Sequence, residues 1–235
     1  MIDSSALRAR LAGVRDRLLR AATRAGRDPS AIRLVAVSKT FDAECVRALA
    51  EAGQVDFGEN KVQEALQKMG RTTDLQIRWH LVGHLQSNKA RKAGAGFDVI
   101  HSIDEPGLAL RVDEAAVAAG RRIDLLVQVD LAGEATKHGA REDELAAIFD
   151  RAREGRAARV VGLMLLPPEG NTPEDARPYF RALRGVRDRL LARGVDGEML
   201  RELSMGMSHD FEVAVEEGAT LVRVGSAIFG ERTSV

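Results

Sequence analysis

Ile32-Arg33-Leu34-Val35-Ala36-Val37-Ser38-Lys39-Thr40-Phe41-Asp42 is a β-branched apolar run that closes on a lysine and then turns without a glycine. Short runs of this kind read as buried strands. The same reading places strands at Leu34 to Lys39, Val55 to Gly58, Arg78 to Gly83, Asp98 to Ser102, Leu125 to Asp130, Val160 to Leu166, Glu202 to Met205 and Leu221 to Val224. Between them, apolar residues recur at threes and fours, as in Leu145, Ile148, Phe149 and Ala152, so the connections are amphipathic helices. Eight strands alternating with helices over about 200 residues fit a (β/α)8 TIM barrel, whose usual size is about 250 residues. An open doubly wound sheet is the alternative. That fold commonly binds phosphate through a glycine-rich first turn, and Ser38-Lys39-Thr40-Phe41-Asp42 has no glycine, so the barrel is preferred.

Upstream, Leu7, Leu11, Val14 and Leu18 stand at helical spacing with arginines between them, which predicts an extra N-terminal helix rather than a signal peptide. Asp3 and Asp16 argue against a transit peptide. The expected organisation is one domain over residues 1–235, with the helix inside 1–27 and the barrel over 32–230. No stretch approaches the ~20 apolar residues that span a bilayer, so no membrane partner is expected. Lys plus Arg and Asp plus Glu number 35 each, interspersed, which excludes the basic stripe of a nucleic-acid binder. Cys45 is the only cysteine, which excludes an internal disulfide, argues against a cysteine-based zinc site and points to a reducing compartment, the cytoplasm.

In a barrel the carboxyl ends of the strands converge on one mouth, so residues far apart in sequence become neighbours there. Those ends carry Lys39, Glu59 and Asn60, Gly83 and His84, the run Ser204 to Ser208, and Arg223-Val224-Gly225-Ser226. Lys39 stands out because the chain has 29 arginines but six lysines. Where Arg is the default cation, an amine closing a core strand suggests chemistry. Gly225 and Ser226 offer backbone and hydroxyl donors to an anion, and Ser208 is expected to cap a helix beginning at His209. Either motif alone also reads as ordinary turn chemistry. Together with a strand-end amine they narrow the class to an anchored aldehyde, the shape of pyridoxal 5'-phosphate.

At this point the chain resembles the pyridoxal-phosphate homeostasis protein family, single-domain barrels similar to the N-terminal domain of alanine racemase. The resemblance runs from about Leu34 to Gly230 on five ordered motifs: Ala36-Val37-Ser38-Lys39-Thr40, Phe57-Gly58-Glu59-Asn60-Lys61-Val62-Gln63-Glu64, Trp79 to Lys89, Ser204-Met205-Gly206-Met207-Ser208 and Val222 to Gly230. It implies that Lys39 forms a reversible aldimine with the cofactor, that Arg223 faces the pyridine nitrogen, and that Ser208, Gly225 and Ser226 hold the phosphate. It also implies that Asn60 and His80 line the pocket. An arginine at the pyridine nitrogen cannot protonate the ring, which suits racemisation or simple carriage.

The resemblance further implies that alanine racemase takes a second base, a tyrosine, from an appended domain of its partner subunit. The one tyrosine here, Tyr179, follows Arg177-Pro178 in a long helix and reads as packing, and the chain runs to Val235. No catalytic residue is therefore expected. His84 and His209 are the histidines nearest the mouth, and neither belongs to a spacing that suggests a metal. The expected function is a non-enzymatic binding protein in intracellular vitamin B6 homeostasis that hands cofactor to apo-enzymes and acts as a monomer. An amino-acid racemase or another Schiff-base-forming lyase is the alternative. A third reading treats Leu85 to Lys92 as a docking segment. Lys137 is a second rim lysine expected to accept the aldehyde during release.

Overall fold

The computed structural model describes residues 3–133 and 138–230. Eight strands form a closed, all-parallel barrel in sequence order: β1 (Arg33–Val37), β2 (Asp56–Glu59), β3 (Arg78–Leu81), β4 (Val99–Ile103), β5 (Ile123–Gln128), β6 (Ala158–Met164), β7 (Glu202–Ser204) and β8 (Leu221–Val224). Closure comes from β8 pairing back on β1, with Leu34 opposite Val222 and Val35 opposite Arg223. The chain is a (β/α)8 barrel, as expected. Its helices are α1 (Ser4–Arg24), α2 (Ala43–Ala50), α3 (Val62–Gly70), α4 (Ala90–Gly96), α5 (Pro106–Ala118), α6 (Leu145–Ala152), α7 (Arg177–Ala192), α8 (Phe211–Glu216) and α9 (Ser226–Phe229).

Helix α1 is the extra element. The Asp3 carboxylate accepts hydrogen bonds from the Ser5 and Ala6 N–H groups, satisfying first-turn donors that otherwise lack partners. Its buried residues are Leu7, Leu11, Val14, Leu18, Ala21 and Ala22, one apolar stripe, and it packs on α2, α8 and α9. Among the described residues, no helix is long and apolar enough to cross a membrane.

Period-two alternation divides the strands between two cores. Leu34, Ala36, Phe57, Trp79, Leu81, Ile100, Leu203, Val222 and Val224 face the helices. Val35, Val37, Val99, Leu126, Val161, Met164 and Leu221 fill the barrel. That leaves His80, His101, Ser204 and Arg223 pointing inward too, each at most 4% exposed. A small barrel is normally plugged by branched aliphatics, so a polar inner column is a departure with a cost unless every member is paired.

Strand ends differ from the sequence reading by at most two residues, and one difference matters. Lys39 does not close β1, which ends at Val37. The Ser38 N–H still donates to the Gly58 carbonyl at 2.9 Å, and the chain then turns through Thr40 at φ +69°, the one positive-φ residue other than glycine among those described. Lys39 therefore leaves the sheet on a turn. Ser208 is also not the cap of a helix starting at His209, because α8 begins at Phe211 after Asp210. The Asp210 carboxylate instead accepts from the Met207 N–H at 2.6 Å and tightens that turn.

Candidate functional site

At the carboxyl end of the barrel lies a cavity of about 740 Å³, within the size range of small-molecule sites. Six of the seven predicted residues line it: Lys39, Asn60, Ser208, Arg223, Gly225 and Ser226. Val37, Phe41, Val82, Leu166 and Met207 supply apolar walls, and His84 and His209 stand at the edge. Gly83 lets the β3 loop cross close over β2: a Cβ there would run into the Asn60 carbonyl and lie 2.8 Å from the Asn60 Cα. Lys137 lies outside the described residues. Tyr179 is only partly buried and packs against the outer core.

His80 is the exception among the predicted residues. It does not line the cavity but is fully enclosed in the barrel below it. The reason is register: His80 sits between outward-facing Trp79 and Leu81 and therefore points inward, one layer beneath the mouth. There it belongs to a chain of hydrogen bonds. Arg223 Nη1 donates to Ser204 Oγ at 2.6 Å, Ser204 Oγ meets His101 Nδ1 at 2.8 Å, His101 Nε2 meets His80 Nδ1 at 2.9 Å, and His80 Nε2 meets Asp56 Oδ1 at 2.8 Å.

The proton positions in this chain follow from its two ends. Burial pushes Asp56 up, but hydrogen bonds from His80 and Arg78 outweigh it and bring its pKa to about 2, so Asp56 only accepts. His80 Nε2 must then carry a proton. Burial lowers both His80 and His101, which keeps each imidazole neutral and limits it to one N–H. His80 Nδ1 therefore accepts from His101 Nε2, and His101 Nδ1 accepts from the Ser204 hydroxyl. Every donor points away from the cavity toward Asp56. Arg223 is the cation at the open end; burial lowers its pKa to about 10, which leaves it charged near neutrality, and Nη2 also donates to the Leu165 carbonyl at 2.8 Å.

A second polar cluster flanks Lys39. Lys68, from α3, donates to Glu59 Oε1 and to the Ser38 carbonyl, both at 2.6 Å, and to Glu64 Oε1 at 3.0 Å. The Ser38 hydroxyl donates to Glu59 Oε1 at 2.6 Å, and the Thr40 N–H donates to Glu64 Oε1 at 2.6 Å. Both neighbours of Lys39 are thus clamped, and the clamp holds Thr40 in a conformation that a β-branched residue otherwise avoids. Lys39 itself is half-buried. Neither Lys68 nor His101 was singled out from the sequence. Alternation would have found His101, since it lies between residues that face other ways. Lys68 carried no signal beyond being one of six lysines on an apolar helix face.

At the same mouth, the loops after β7 and β8 bring donors together. The N–H groups of Gly225 and Ala227 both point at Ser208 Oγ, at 3.1 and 3.2 Å, with Ser226 between them. Gly225 is close to the wall, since a Cβ would lie 3.3 Å from the Val37 carbonyl oxygen. Hydroxyl and backbone donors gathered together, a buried cation in the floor and an amine lining the same cavity form a donor set that fits a phosphorylated aromatic aldehyde.

The family described as alanine racemase, N-terminal domain, matches residues 2–233. A protein of Aquifex aeolicus named pyridoxal phosphate homeostasis protein is 43% identical over 95% of this chain and 97% of its own length. The protein of that name from Escherichia coli is 38% identical over 94% and 95%. PipY of Synechococcus elongatus, in a structure with PLP bound, superposes with a TM-score of 0.84 at 40% identity, covering 95% of this chain and all of that one. Alanine racemase from Streptomyces coelicolor shares the fold, with a TM-score of 0.72 at 22% identity over 98% of this chain and 59% of the racemase.

Proposed function

Because the chain belongs to the alanine racemase N-terminal domain family, and within it stands with the pyridoxal phosphate homeostasis proteins, we propose that it binds pyridoxal 5'-phosphate reversibly through Lys39 and serves vitamin B6 homeostasis without catalytic turnover. The observation that carries the reading is the cavity itself, which Lys39 lines together with Ser208, Gly225 and Ser226. Bound there, the cofactor supplies an aldehyde that an amine captures reversibly and a conjugated ring that withdraws electrons.

Each side chain then has a physical task. Ser208, Gly225 and Ser226 hold the phosphate, and this fixes the distance from which Lys39 meets the aldehyde. Arg223, held by Ser204 and the Leu165 carbonyl, would face the ring nitrogen as a donor. Asn60 and Val82 line one wall of the cavity and Leu166 and Met207 also line it, keeping the cavity largely apolar. His80 acts at a distance, by fixing His101 and through it Ser204.

Holding without turnover is supported by the similarity to proteins named pyridoxal phosphate homeostasis protein. Among the described residues in the cavity wall there is neither a tyrosine nor a carboxylate, and Tyr179 lies elsewhere in α7. A racemase needs a second base on the far face of its substrate. We place the protein in the cytoplasm as a monomeric, single-domain barrel over 1–235 that delivers cofactor to apo-enzymes. Lys137 remains the proposed release point.

The test is a spectrum of the purified protein with added pyridoxal phosphate, with and without borohydride, followed by mass mapping. The expected result is a visible chromophore that borohydride fixes on Lys39 and that Lys39→Ala abolishes. An unchanged chromophore in Lys39→Ala overturns the assignment. Solvent deuterium entering the α-carbon of an amino acid at turnover rates overturns the non-catalytic role.

A further inference from the structure

Beside the cofactor cavity, on the same rim, His84 after β3, Asp104 after β4 and His138 in the loop after β5 meet from three successive strands. Each offers one nitrogen or oxygen, and the three atoms lie within 4.8 Å of one another. His84 Nδ1 is 3.7 Å from Asp104 Oδ2, and the His84 and His138 rings stack with centroids 3.5 Å apart and planes 9° apart. A second cavity of about 430 Å³ opens beside them, walled in addition by Glu105 and Glu144. We propose that His84, Asp104 and His138 form a binding site for a divalent transition-metal ion of the zinc class, at the rim of the cofactor cavity and open on one side.

Two imidazoles and one carboxylate are the donor set of three-ligand zinc sites that keep a fourth position for water or another ligand. The mixture disfavours calcium and magnesium, which take oxygen ligands in larger number. A tetrahedral ion with bonds of about 2.0–2.1 Å sets its ligand atoms about 3.3 Å apart, so the His84 to Asp104 spacing needs little change. Parallel rings aim their lone pairs side by side, so closing on an ion requires one imidazole to tilt. Both histidines are exposed, which leaves that rotation free of core packing.

The frame behind them is fixed. Asp104 directly follows β4, and Gln128 Nε2 donates to the His138 carbonyl at 2.5 Å. The sequence gives no sign of the group, because 19 and 33 residues separate its members and only the barrel's order of strand ends brings them together. His84 also lines the cofactor cavity, so a ring tilted toward an ion alters that cavity's edge.

The test needs no cofactor and is therefore independent of the function proposed above. Untagged, chelator-treated full-length protein is dialysed against micromolar zinc and assayed for bound metal, and cobalt(II) is added to a parallel sample as a spectroscopic probe. The expected result is one zinc per chain, a cobalt spectrum of tetrahedral intensity, and affinity reduced at least about tenfold in His84→Ala, Asp104→Asn and His138→Ala. Circular dichroism verifies folding, and the exposed His138 keeps the test open if another variant misfolds. Absence of stoichiometric zinc, or zinc retained equally by all three variants, overturns the site.

Discussion

Replacing Lys68 by Met removes a cation that faces an enclosed carboxylate. The Lys68 side chain is 8% exposed and that of Glu59 0%, and they meet at 2.6 Å. Burial pushes Glu59 above the usual carboxylate range, while Lys68 and then Ser38 pull it back. Met retains much of the stem's apolar packing and none of the charge. Glu59 is then left with a single hydroxyl donor and takes up a proton rather than remain a buried anion. The cost of that proton sets the ceiling: about 1.4 kcal/mol per pH unit, over the roughly 2.7 units between an ordinary glutamate and neutrality, is about 3.7 kcal/mol. A loss of about 3 kcal/mol near neutrality follows, at the lower end of the range for broken buried pairs.

The ceiling makes the loss depend on pH, with a definite sign. The folded-state pKa of Glu59, already raised by burial in the wild type, lies further above its unfolded value in the variant, so the folded protein holds the extra proton. Stability is therefore greatest below the unfolded pKa of about 4.3 and falls as pH rises toward the folded value. Near pH 5 the ceiling is only about 1 kcal/mol. Urea unfolding of both proteins near pH 5 and near pH 7.5 measures the difference. Adding Glu59→Gln to Lys68→Met should restore more than half of the neutral-pH loss, because the buried acid is gone. A neutral-pH loss below about 1 kcal/mol, or a loss equal at both pH values, refutes the account.

Asp56→Asn is expected to cost about 2 kcal/mol near neutrality, from a carboxylate held at about 2 against an ordinary 3.8. Because the folded pKa is depressed, that stability is present above about pH 4 and lost as pH falls toward 2, so thermal midpoints of wild type and variant should converge in acid. Gly83→Ala drives a Cβ into the Asn60 backbone and should weaken pyridoxal phosphate binding, read by absorbance titration; unchanged affinity would remove Gly83 from the account. Arg223→Lys keeps a cation but cannot bridge Ser204 Oγ and the Leu165 carbonyl as a fork does. Affinity should fall about tenfold or more, one to two hydrogen bonds' worth, while borohydride still fixes the cofactor on Lys39.

The barrel was legible because its signal is repeated: each apolar run is followed by an amphipathic helix, and no single boundary has to be right. Six cavity residues were legible for a related reason, since strand ends in this topology share one mouth. What escaped depends on which face of a strand a residue takes. His80 was assigned to the pocket by its motif, yet Trp79 and Leu81 on either side of it already require an inward direction and a lower layer. The Lys68 clamp needs a contact from α3 back to the end of β1, thirty residues away, and periodicity carries no information about that distance. The Ser208 hydroxyl was expected to cap its own helix and instead meets the next loop, because Asp210 already occupies the turn.

The two polar clusters put different constraints on the same cavity. The clamp at Glu59, Lys68 and Glu64 fixes the backbone on both sides of Lys39, so the amine is presented from a rigid turn although its own side chain is long. The relay from Arg223 to Asp56 works on the floor. Its donors all point toward Asp56, so Ser204 can only accept from Arg223, and no member has a proton to return toward the cavity without charging a buried imidazole. A buried carboxylate below Arg223 in place of Ser204 would have added a proton acceptor beneath whatever Arg223 faces; a hydroxyl committed to His101 does not. The sequence therefore invests its inner column in keeping Arg223 a fixed donor, which favours a ring that is held and oriented over one driven through proton transfers.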